Sequence, residues 1–213
     1  MPTLHTMKYA TKRNNLFLRV AMGHFATGSY HTNYYIDVSW QKTRLSEARA
    51  VAEELRSYYY ADTIVDTILC LDGTEVIGAC LADTLSKADF INMNSHKTIY
   101  VVTPEFTNAG QLLFRDNIVP MIKGKHVMIL AVSVASGRTV QSAINAVNYY
   151  GGTVSGVSAI FSTAKECGGF PVRSVFDPND LPGYTCVPAH ECPMCKAGKK
   201  LDALINCHGF SKL

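Results

Sequence analysis

The sequence has no apolar stretch long enough to span a bilayer and no run of lysine and arginine. Its 213 residues include 20 basic and 17 acidic side chains, which gives a net charge of +3. A chain so close to neutrality lacks the electrostatic footprint of a nucleic-acid-binding protein. The first fifteen residues are polar and basic, so no secretory signal is predicted. We therefore expect a cytoplasmic protein with neither a membrane nor a nucleic-acid partner.

A disulfide framework is also missing from the sequence. The seven cysteines are odd in number and scattered, which favours free thiols in a reducing compartment. Apolar residues make up 47% of the chain and charged residues 17%, so a sizeable core is expected and global disorder is not. The length predicts one domain of ordinary size.

The stretch 126–152 is the most informative part of the chain. It opens with an aliphatic run over 127–132, which predicts a strand buried on both faces. Apolar residues at 140, 144 and 147 then recur at helical spacing, and two glycines at 151–152 close the helix. A second apolar run over 154–161 predicts the next strand. The stretch is therefore a strand, loop, helix and strand in succession.

The loop of this unit consists of small residues and one cation. At the amino end of a helix the first amides are unpaired and the helix dipole is positive, so an anion is favoured there. Arg138 adds a fork of donors, and Ser136 and Thr139 add hydroxyls. The sequence predicts a phosphate-binding loop that consists of Ala135, Ser136, Gly137, Arg138 and Thr139. A plain turn with a helix cap is the alternative.

Near the amino end, Gly28 and Ser29 between aromatic and β-branched residues predict a hairpin. Its second strand carries the sequence Tyr-Tyr-Ile-Asp at 34–37. His24 and His31 flank the turn. A lone histidine near a turn is more often a structural hydrogen-bonder than a ligand or a base, and we expect that role for both.

The phosphate loop and the hairpin resemble parts of the type I phosphoribosyltransferases, and orotate phosphoribosyltransferases in particular. In that family the phosphate loop follows an apolar strand and two adjacent acids, which interact with the ribose hydroxyls of phosphoribosyl pyrophosphate. Ala131 and Val132 stand in the places of the two acids here. The resemblance therefore implies that the phosphate contact is retained and the ribose contact is lost.

A second strand and helix, over 65–71 and 76–85, enclose a loop of Asp72, Gly73, Thr74 and Glu75. The resemblance implies that this loop holds pyrophosphate. Acids repel pyrophosphate unless a divalent metal lies between them. One hypothesis is that Asp72 and Glu75 hold Mg²⁺ in place of the missing acids. The alternative is that Asp72 caps the helix and Glu75 completes a capping-box-like start.

The segment 103–120 is long and hardly periodic, which is typical of a functional lid. It falls where orotate phosphoribosyltransferases carry a mobile catalytic loop rich in basic residues. Here the segment contains Glu105, Asp116 and a single basic residue, Arg115. The cations that would stabilise a leaving pyrophosphate are therefore missing from it.

The last thirty residues contain a C-x-x-C pair at Cys192 and Cys195, which is typical of zinc sites. A second pair at matching spacing is absent. We consider a zinc site formed by Cys186, His190, Cys192 and Cys195, with Cys207 or His208 as further candidates. Packed, reduced thiols are the alternative.

Taken together, the resemblance implies an α/β fold of the type I phosphoribosyltransferase kind, with a mostly parallel central sheet flanked by helices. The core would span about 45–165, with a small hood from about 15–40 and 166–213. A homodimer is expected by analogy. The implied function is binding of a phosphorylated ribose or nucleotide, with Mg²⁺-dependent phosphoribosyl transfer to a nitrogenous base such as a pyrimidine if the protein is an enzyme. A non-catalytic nucleotide sensor is the alternative, and a structural dimer with a zinc-stapled tail is a third hypothesis.

Overall fold

The structure is a computed structural model that describes residues 7–10, 16–28, 30–87, 91–95, 98–107 and 111–213. These residues fall into two compact units, one within 1–40 and 176–213 and the other within 41–175. None of the helices in these ranges has the length and apolar character that crossing a membrane requires.

Fourteen strands and five α-helices are found in the described ranges. The strands are β1 (Met7–Ala10), β2 (Phe17–Thr27), β3 (Tyr30–Asp37), β4 (Thr67–Cys70), β5 (Tyr100–Val102), β6 (Glu105–Phe106), β7 (Leu112–Leu113), β8 (His126–Val134), β9 (Thr153–Ser162), β10 (Glu166–Cys167), β11 (Phe170–Phe176), β12 (Cys186–Pro188), β13 (Ala203–Asn206) and β14 (Gly209–Lys212). The helices are α1 (Ser39–Thr43), α2 (Leu45–Arg56), α3 (Glu75–Ser86), α4 (Arg138–Tyr149) and α5 (Pro193–Lys196).

The larger unit is built on a sheet with the strand order β10-β11-β9-β8-β4-β5. Strand β8 pairs in parallel with β9 and with β4, and β4 pairs in parallel with β5, whereas β10 and β11 pair in an antiparallel way. This confirms the predicted α/β fold with a mostly parallel central sheet.

The central strand of this sheet is β8. Residues 127–132 of β8 are all buried, which agrees with an aliphatic run covered on both faces. Helix α4 follows β8 and buries Val140, Ile144 and Val147 at the predicted helical spacing. The helix ends before Gly151, which has φ +78° and supplies the left-handed residue that commonly follows a helix.

The smaller unit is built on a second sheet, with the order β12-β3-β2-β13-β14 and β1 paired to β2. Strands β2 and β3 form the predicted hairpin, and Gly28 in its turn has φ +53°. Ser29 lies outside the described residues. Strand β13 runs parallel to β2, so the end of the chain lies beside the amino-terminal hairpin. One small apolar cluster joins the two segments through Phe25, Tyr35 and Ala203.

Helix α3 packs closely on the sheet at Gly78. A Cβ atom at this position would overlap the Cys70 sulfur and lie 3.2 Å from Val101 Cγ1. Burial raises the pKa of the Cys70 thiol to about 12, so this group is a neutral packing atom at physiological pH. The close approach of α3 to β4 and β5 therefore requires glycine.

We predict that Gly78→Ala destabilises the protein by about 1–3 kcal/mol through overpacking. In an exposed helix the same change would stabilise by up to about 1 kcal/mol, because alanine is the better helix former. Urea unfolding of the variant and the wild type shows directly whether the substitution lowers or raises the free energy of unfolding. Adding Cys70→Ala removes the clashing sulfur, so the cost of Gly78→Ala should shrink in the double variant. A stabilised single variant would contradict the packing described here.

Candidate functional site

The predicted phosphate loop lies between β8 and α4. Ala135 and Ser136 are exposed, and Gly137 occupies the position before the first helical residue, Arg138. A cavity of about 150 Å³ is lined entirely by residues 133–140. The structure therefore brings all five predicted residues of the loop around one concave space at the amino end of the twelve-residue helix α4.

Gly137 is required in this loop for two reasons. Its φ of +72° lies in the left-handed region, and a Cβ atom would come within 2.8 Å of Cys167 Sγ. The Cys167 thiol donates a hydrogen bond to the Gly137 carbonyl at 3.4 Å. Burial raises the pKa of Cys167, which keeps the sulfur protonated as a donor. Cys167 of strand β10 therefore packs against the loop and holds it through this hydrogen bond. The sequence did not suggest this role for Cys167.

The start of the loop is fixed by the neighbouring strand. The Val134 carbonyl accepts hydrogen bonds from the Thr163 amide at 2.9 Å and the Ser162 hydroxyl at 3.1 Å. Ser162 also contacts the Ala164 carbonyl at 2.7 Å. Because the ends of β8 and β9 are held together in this way, the phosphate loop leaves the sheet from a defined point.

The positions of the family's two acids are apolar and closed to a ligand. Ala131 is 1% exposed and Val132 is 4% exposed. Ala131 belongs to the same apolar core cluster as Val140 and Ile144 of α4. These two positions therefore contribute packing and no hydrogen-bonding group.

The acidic loop leaves the same edge of the sheet as the phosphate loop. The Leu71 amide donates to the Leu130 carbonyl of β8 at 2.8 Å. The buried Thr74 hydroxyl lies 2.9 Å from the Leu71 carbonyl and 3.1 Å from the Leu130 carbonyl. Thr74, rather than Asp72, is the residue before the first turn of α3, so the interpretation of Asp72 as the helix cap is not supported.

A lysine that the sequence did not single out lies at this loop. Lys42 Nζ donates to the Asp72 carbonyl at 2.8 Å. A Cβ atom on Gly73 would lie 3.4 Å from Lys42 Nζ and 3.9 Å from Glu75 Oε2, so the ammonium and the carboxylate flank the same glycine. Asp72 has φ +58°, an uncommon conformation for a residue with a side chain.

The carboxylates of Asp72 and Glu75 form a donor set that is compatible with Mg²⁺. Magnesium sites often use one or two carboxylates and leave the other positions to water and phosphate oxygens. Glu75 is exposed and Asp72 half-buried, so both carboxylates are accessible for such a role. The Lys42 ammonium offsets part of the negative charge of the two carboxylates. It would therefore compete with a metal ion for these carboxylates.

The predicted lid contains a short hairpin formed by β6 and β7. Arg115 and Glu105 form an ion pair with a distance of 2.6 Å between Nη2 and Oε2. Hydrogen bonds from Arg115 lower the pKa of Glu105, although both side chains are exposed. The single basic residue of the segment is therefore engaged within the segment itself.

The hairpin lies along the carboxyl-terminal half of α4. The rings of Phe114 and Tyr150 pack edge to face with centroids 5.2 Å apart. A cavity of about 730 Å³ separates the two elements and is lined by Thr107, Gln111, Leu112, Leu113, Ser142, Asn145, Ala146, Tyr149 and Tyr150. Residues 108–110 lie outside the described residues.

In the smaller unit, the two cysteines of the C-x-x-C pair meet two histidines. The ligand atoms of His24, His31, Cys192 and Cys195 all lie within 4.8 Å of one another. His24 Nε2 is 3.1 Å from His31 Nδ1, 3.4 Å from Cys192 Sγ and 3.6 Å from Cys195 Sγ. Cys195 Sγ is 3.2 Å from His31 Nδ1. Burial, and next the neighbouring His24, lower the pKa of His31.

The other two residues of the predicted zinc set lie elsewhere. Cys186 pairs with Thr32 across the β3–β12 ladder, one position out of step with His31, so its side chain points to the other face of the sheet. His190 is exposed and lies 3.3 Å from Glu191. His24 and His31 therefore replace Cys186 and His190 in the group that the structure assembles.

The sequence pattern did not identify the two histidines as ligands, because both lie far from the cysteines along the chain. Cys192 is 168 residues from His24, and Cys195 is 164 residues from His31. The one signal available was the occurrence of two histidines beside one hairpin turn. Without knowledge that the chain end returns to this hairpin, that signal was too weak to separate ligands from structural residues.

No protein-family model and no curated protein matches the sequence. Solved structures do match. The orotate phosphoribosyltransferase of Mycobacterium tuberculosis H37Rv, solved with Fe(III) dicitrate, is 18% identical over 78% of this chain and 93% of its own, with a TM-score of 0.53. The same protein has been solved with inorganic phosphate and with 5-phospho-alpha-D-ribosyl 1-diphosphate.

Two further structures extend the likeness. A phosphoribosyltransferase from Corynebacterium diphtheriae is 21% identical and is matched over 76% of this chain and 90% of its own, with a TM-score of 0.51. The adenine phosphoribosyltransferase of Thermoanaerobacter pseudethanolicus is 16% identical and is matched over 68% and 88%, with a TM-score of 0.50. At these identities the likeness concerns the fold alone, and the chain has the fold of the type I phosphoribosyltransferases.

Proposed function

We propose that this protein binds a 5-phosphorylated ribose compound or nucleotide, with the phosphate held by Ala135, Ser136, Gly137, Arg138 and Thr139. The observation that carries the proposal is the cavity of about 150 Å³ that these residues line at the start of α4. The loop is also supported from two sides, by Cys167 beneath Gly137 and by Ser162 at the end of β9.

The chemistry of the loop suits a phosphate dianion. The first amides of a helix lack partners within the helix, and the dipole places a partial positive charge at the same point. The left-handed Gly137 leaves this end of α4 uncovered by a Cβ atom. Exposed Arg138 and Thr139 in the first turn add a guanidinium and a hydroxyl that can contact phosphate oxygens.

Of the two uses of such a ligand, non-catalytic binding has the better support. Transfer of a phosphoribosyl group would need support for a cationic ribose and charge neutralisation at the leaving pyrophosphate. Ala131 and Val132 are buried and apolar, and Arg115 is paired with Glu105. We therefore infer that the protein is a nucleotide-binding or regulatory module.

Phosphoribosyl transfer to a nitrogenous base is the second candidate. The observation in its favour is that the loop of Asp72, Gly73, Thr74 and Glu75 leaves the same edge of the sheet as the phosphate loop. There, Asp72 and Glu75 would hold Mg²⁺, which would neutralise pyrophosphate charge. Transfer would otherwise depend on positioning of the two reactants by the chain.

We expect Arg138→Ala to weaken phosphate-ligand binding by roughly tenfold or more, because a hydrogen bond to a charged group contributes about 1.5–3 kcal/mol. Calorimetric titration with a pyrimidine and a purine monophosphate measures this loss. Gly137→Ala should weaken binding as well, since it strains the loop and displaces Cys167. Arg56→Ala is the matched control: it removes an arginine at the end of α2, which precedes β4 and so lies toward the opposite edge of the sheet. Equal affinity of the Arg138→Ala variant and the wild type would rule out this assignment.

The same titrations distinguish a binding module from a transferase. We expect monophosphates to bind equally well with and without Mg²⁺, and Asp72→Asn and Glu75→Gln to leave that binding unchanged. Incubation with phosphoribosyl pyrophosphate, Mg²⁺ and a base should release no pyrophosphate beyond the background rate. Glu53→Gln, on the exposed face of α2, controls for the general loss of one negative charge. Base-dependent release of pyrophosphate that both loop variants abolish would instead establish the transferase.

The expected setting of this function is the cytoplasm, and the expected assembly is a homodimer. The odd number and scattered positions of the seven cysteines favour a reducing compartment. The homodimer is proposed by analogy with the type I phosphoribosyltransferases. Light scattering coupled to size-exclusion chromatography should therefore give twice the chain mass of 23.4 kDa. A mass equal to one chain at micromolar concentration would refute the dimer.

A further inference from the structure

We propose that His24, His31, Cys192 and Cys195 form a structural zinc site that ties the end of the chain to the amino-terminal hairpin. The proposal is independent of phosphate binding, because all four residues belong to the smaller unit and the phosphate loop belongs to the larger one.

The spacing of the four ligand atoms matches a tetrahedral zinc ion. With zinc–nitrogen distances of about 2.0–2.1 Å and zinc–sulfur distances of about 2.3 Å, tetrahedral ligand atoms lie about 3.3–3.8 Å apart. Four separations in the cluster fall between 3.1 and 3.6 Å, and every pair lies within 4.8 Å. These separations are therefore close to those of four ligand atoms around one zinc ion.

The chemical identity of the donors selects zinc. Two imidazoles and two thiolates form a closed set of four ligands, as in structural zinc sites, and leave no position for a substrate or a catalytic water. Two thiolates also balance the charge of the metal ion. His24 and Cys192 are fully buried, whereas His31 is half-buried and Cys195 is exposed. The site is thus anchored in the unit and accessible from one side.

The ring of His24 is held in the tautomer that a metal needs. Its Nδ1 lies 2.9 Å from the Lys199 carbonyl and 3.2 Å from the Lys200 carbonyl. A carbonyl only accepts hydrogen bonds, so Nδ1 carries the proton and donates it. The lone pair of Nε2 then points at His31 and the two sulfurs. Carbonyl partners of this kind orient histidine ligands in many metal sites.

The main chain of His24 is fixed by the same segment. Its amide donates to Asp202 Oδ2 at 2.7 Å, and its carbonyl accepts from the Asp202 amide at 2.8 Å. The register of the hairpin shifts between Met22 and Phe25, so Gly23 and His24 form a bulge in β2. Bulges commonly redirect a side chain in a sheet, and this one places His24 toward the chain end.

The cysteines are presented by a tight turn. Cys192 precedes the short helix α5, and its carbonyl accepts from the Lys196 amide at 3.1 Å. The Gly198 amide then donates to the Cys195 carbonyl at 2.9 Å, and Gly198 has φ +72°. This turn directs both sulfurs of the C-x-x-C pair toward the two histidines.

A metal at this position would add a crosslink to the apolar packing of the smaller unit. One of its core clusters contains only Ala21, Phe25, Tyr35 and Ala203 as buried residues. The metal would join segments 171 residues apart in sequence, and a crosslink over so long a loop restricts the unfolded chain strongly. We therefore assign the site a structural role.

Metal analysis of freshly purified, reduced protein tests the proposal. We expect a single zinc ion per wild-type chain, and loss of most of this zinc in Cys195→Ser and His31→Gln. These two positions are chosen because their partial exposure makes the substitutions less disruptive than changes at buried Cys192 and His24. Cys186→Ser and His190→Gln are the matched controls, since they change the same residue types outside the cluster and should retain zinc.

Two outcomes would overturn the site. One is wild-type protein that contains no zinc and gives no tetrahedral thiolate spectrum when Co²⁺ is added. The other is equal zinc content in the wild type and in all four variants. If Cys195→Ser or His31→Gln fails to fold, the Co²⁺ spectrum of the wild type still decides the matter. A strong chelator should also lower the thermal midpoint of the wild type and of both controls.

Discussion

The parallel pairing of β8 with β4 on one side and β9 on the other is the constraint on which the candidate site depends. In a parallel sheet the carboxyl ends of the strands share one edge, and loops that leave this edge face a common crevice. The register matches Cys70 with Leu130 and Val134 with Ser162, so the acidic loop, the phosphate loop and the end of β9 follow at neighbouring points. The buried Thr74 and Ser162 hydroxyls reinforce this arrangement by bridging to carbonyls of β8. The site is thus a consequence of strand register before any ligand chemistry is considered.

The two halves of the site have different chemistry. The phosphate half combines a helix terminus, a left-handed glycine and an arginine, and each of these favours an anion. At the two positions where the resemblance would place ribose-binding acids, Ala131 and Val132 are buried in the core. A phosphate can be held without the ribose acids, because the helix terminus provides its own donors. A developing cationic ribose cannot be stabilised by apolar side chains. This asymmetry is the physical reason why we propose binding rather than transfer.

In the smaller unit, distant segments of the chain meet at the proposed zinc site. Strand β13 runs beside β2, and β12 beside β3, so the chain end lies against the first hairpin on both sides of that hairpin. The segment from Lys199 to Asp202 then contacts the His24 ring and main chain together. Because this segment also follows the C-x-x-C turn, the same contacts that complete the sheet place the sulfurs near the histidines. The strand pairing that completes the sheet therefore also brings the four candidate ligand side chains together.

The sequence alone determined the features that depend on local pattern. The central unit was predicted from the aliphatic run of β8, the apolar stripe of α4 and the small-residue loop between them. Such predictions are possible because the pattern of neighbouring residues indicates burial and helical spacing. The likeness to phosphoribosyltransferases predicted the sheet type, which the fold confirms. Only the tertiary structure showed that Cys167 supports Gly137, that Lys42 donates to the Asp72 carbonyl, and that His24 and His31 join Cys192 and Cys195. Each of these contacts joins residues about 30 or more positions apart. Contacts over such separations are set by strand order and register, for which a single sequence carries no local signal.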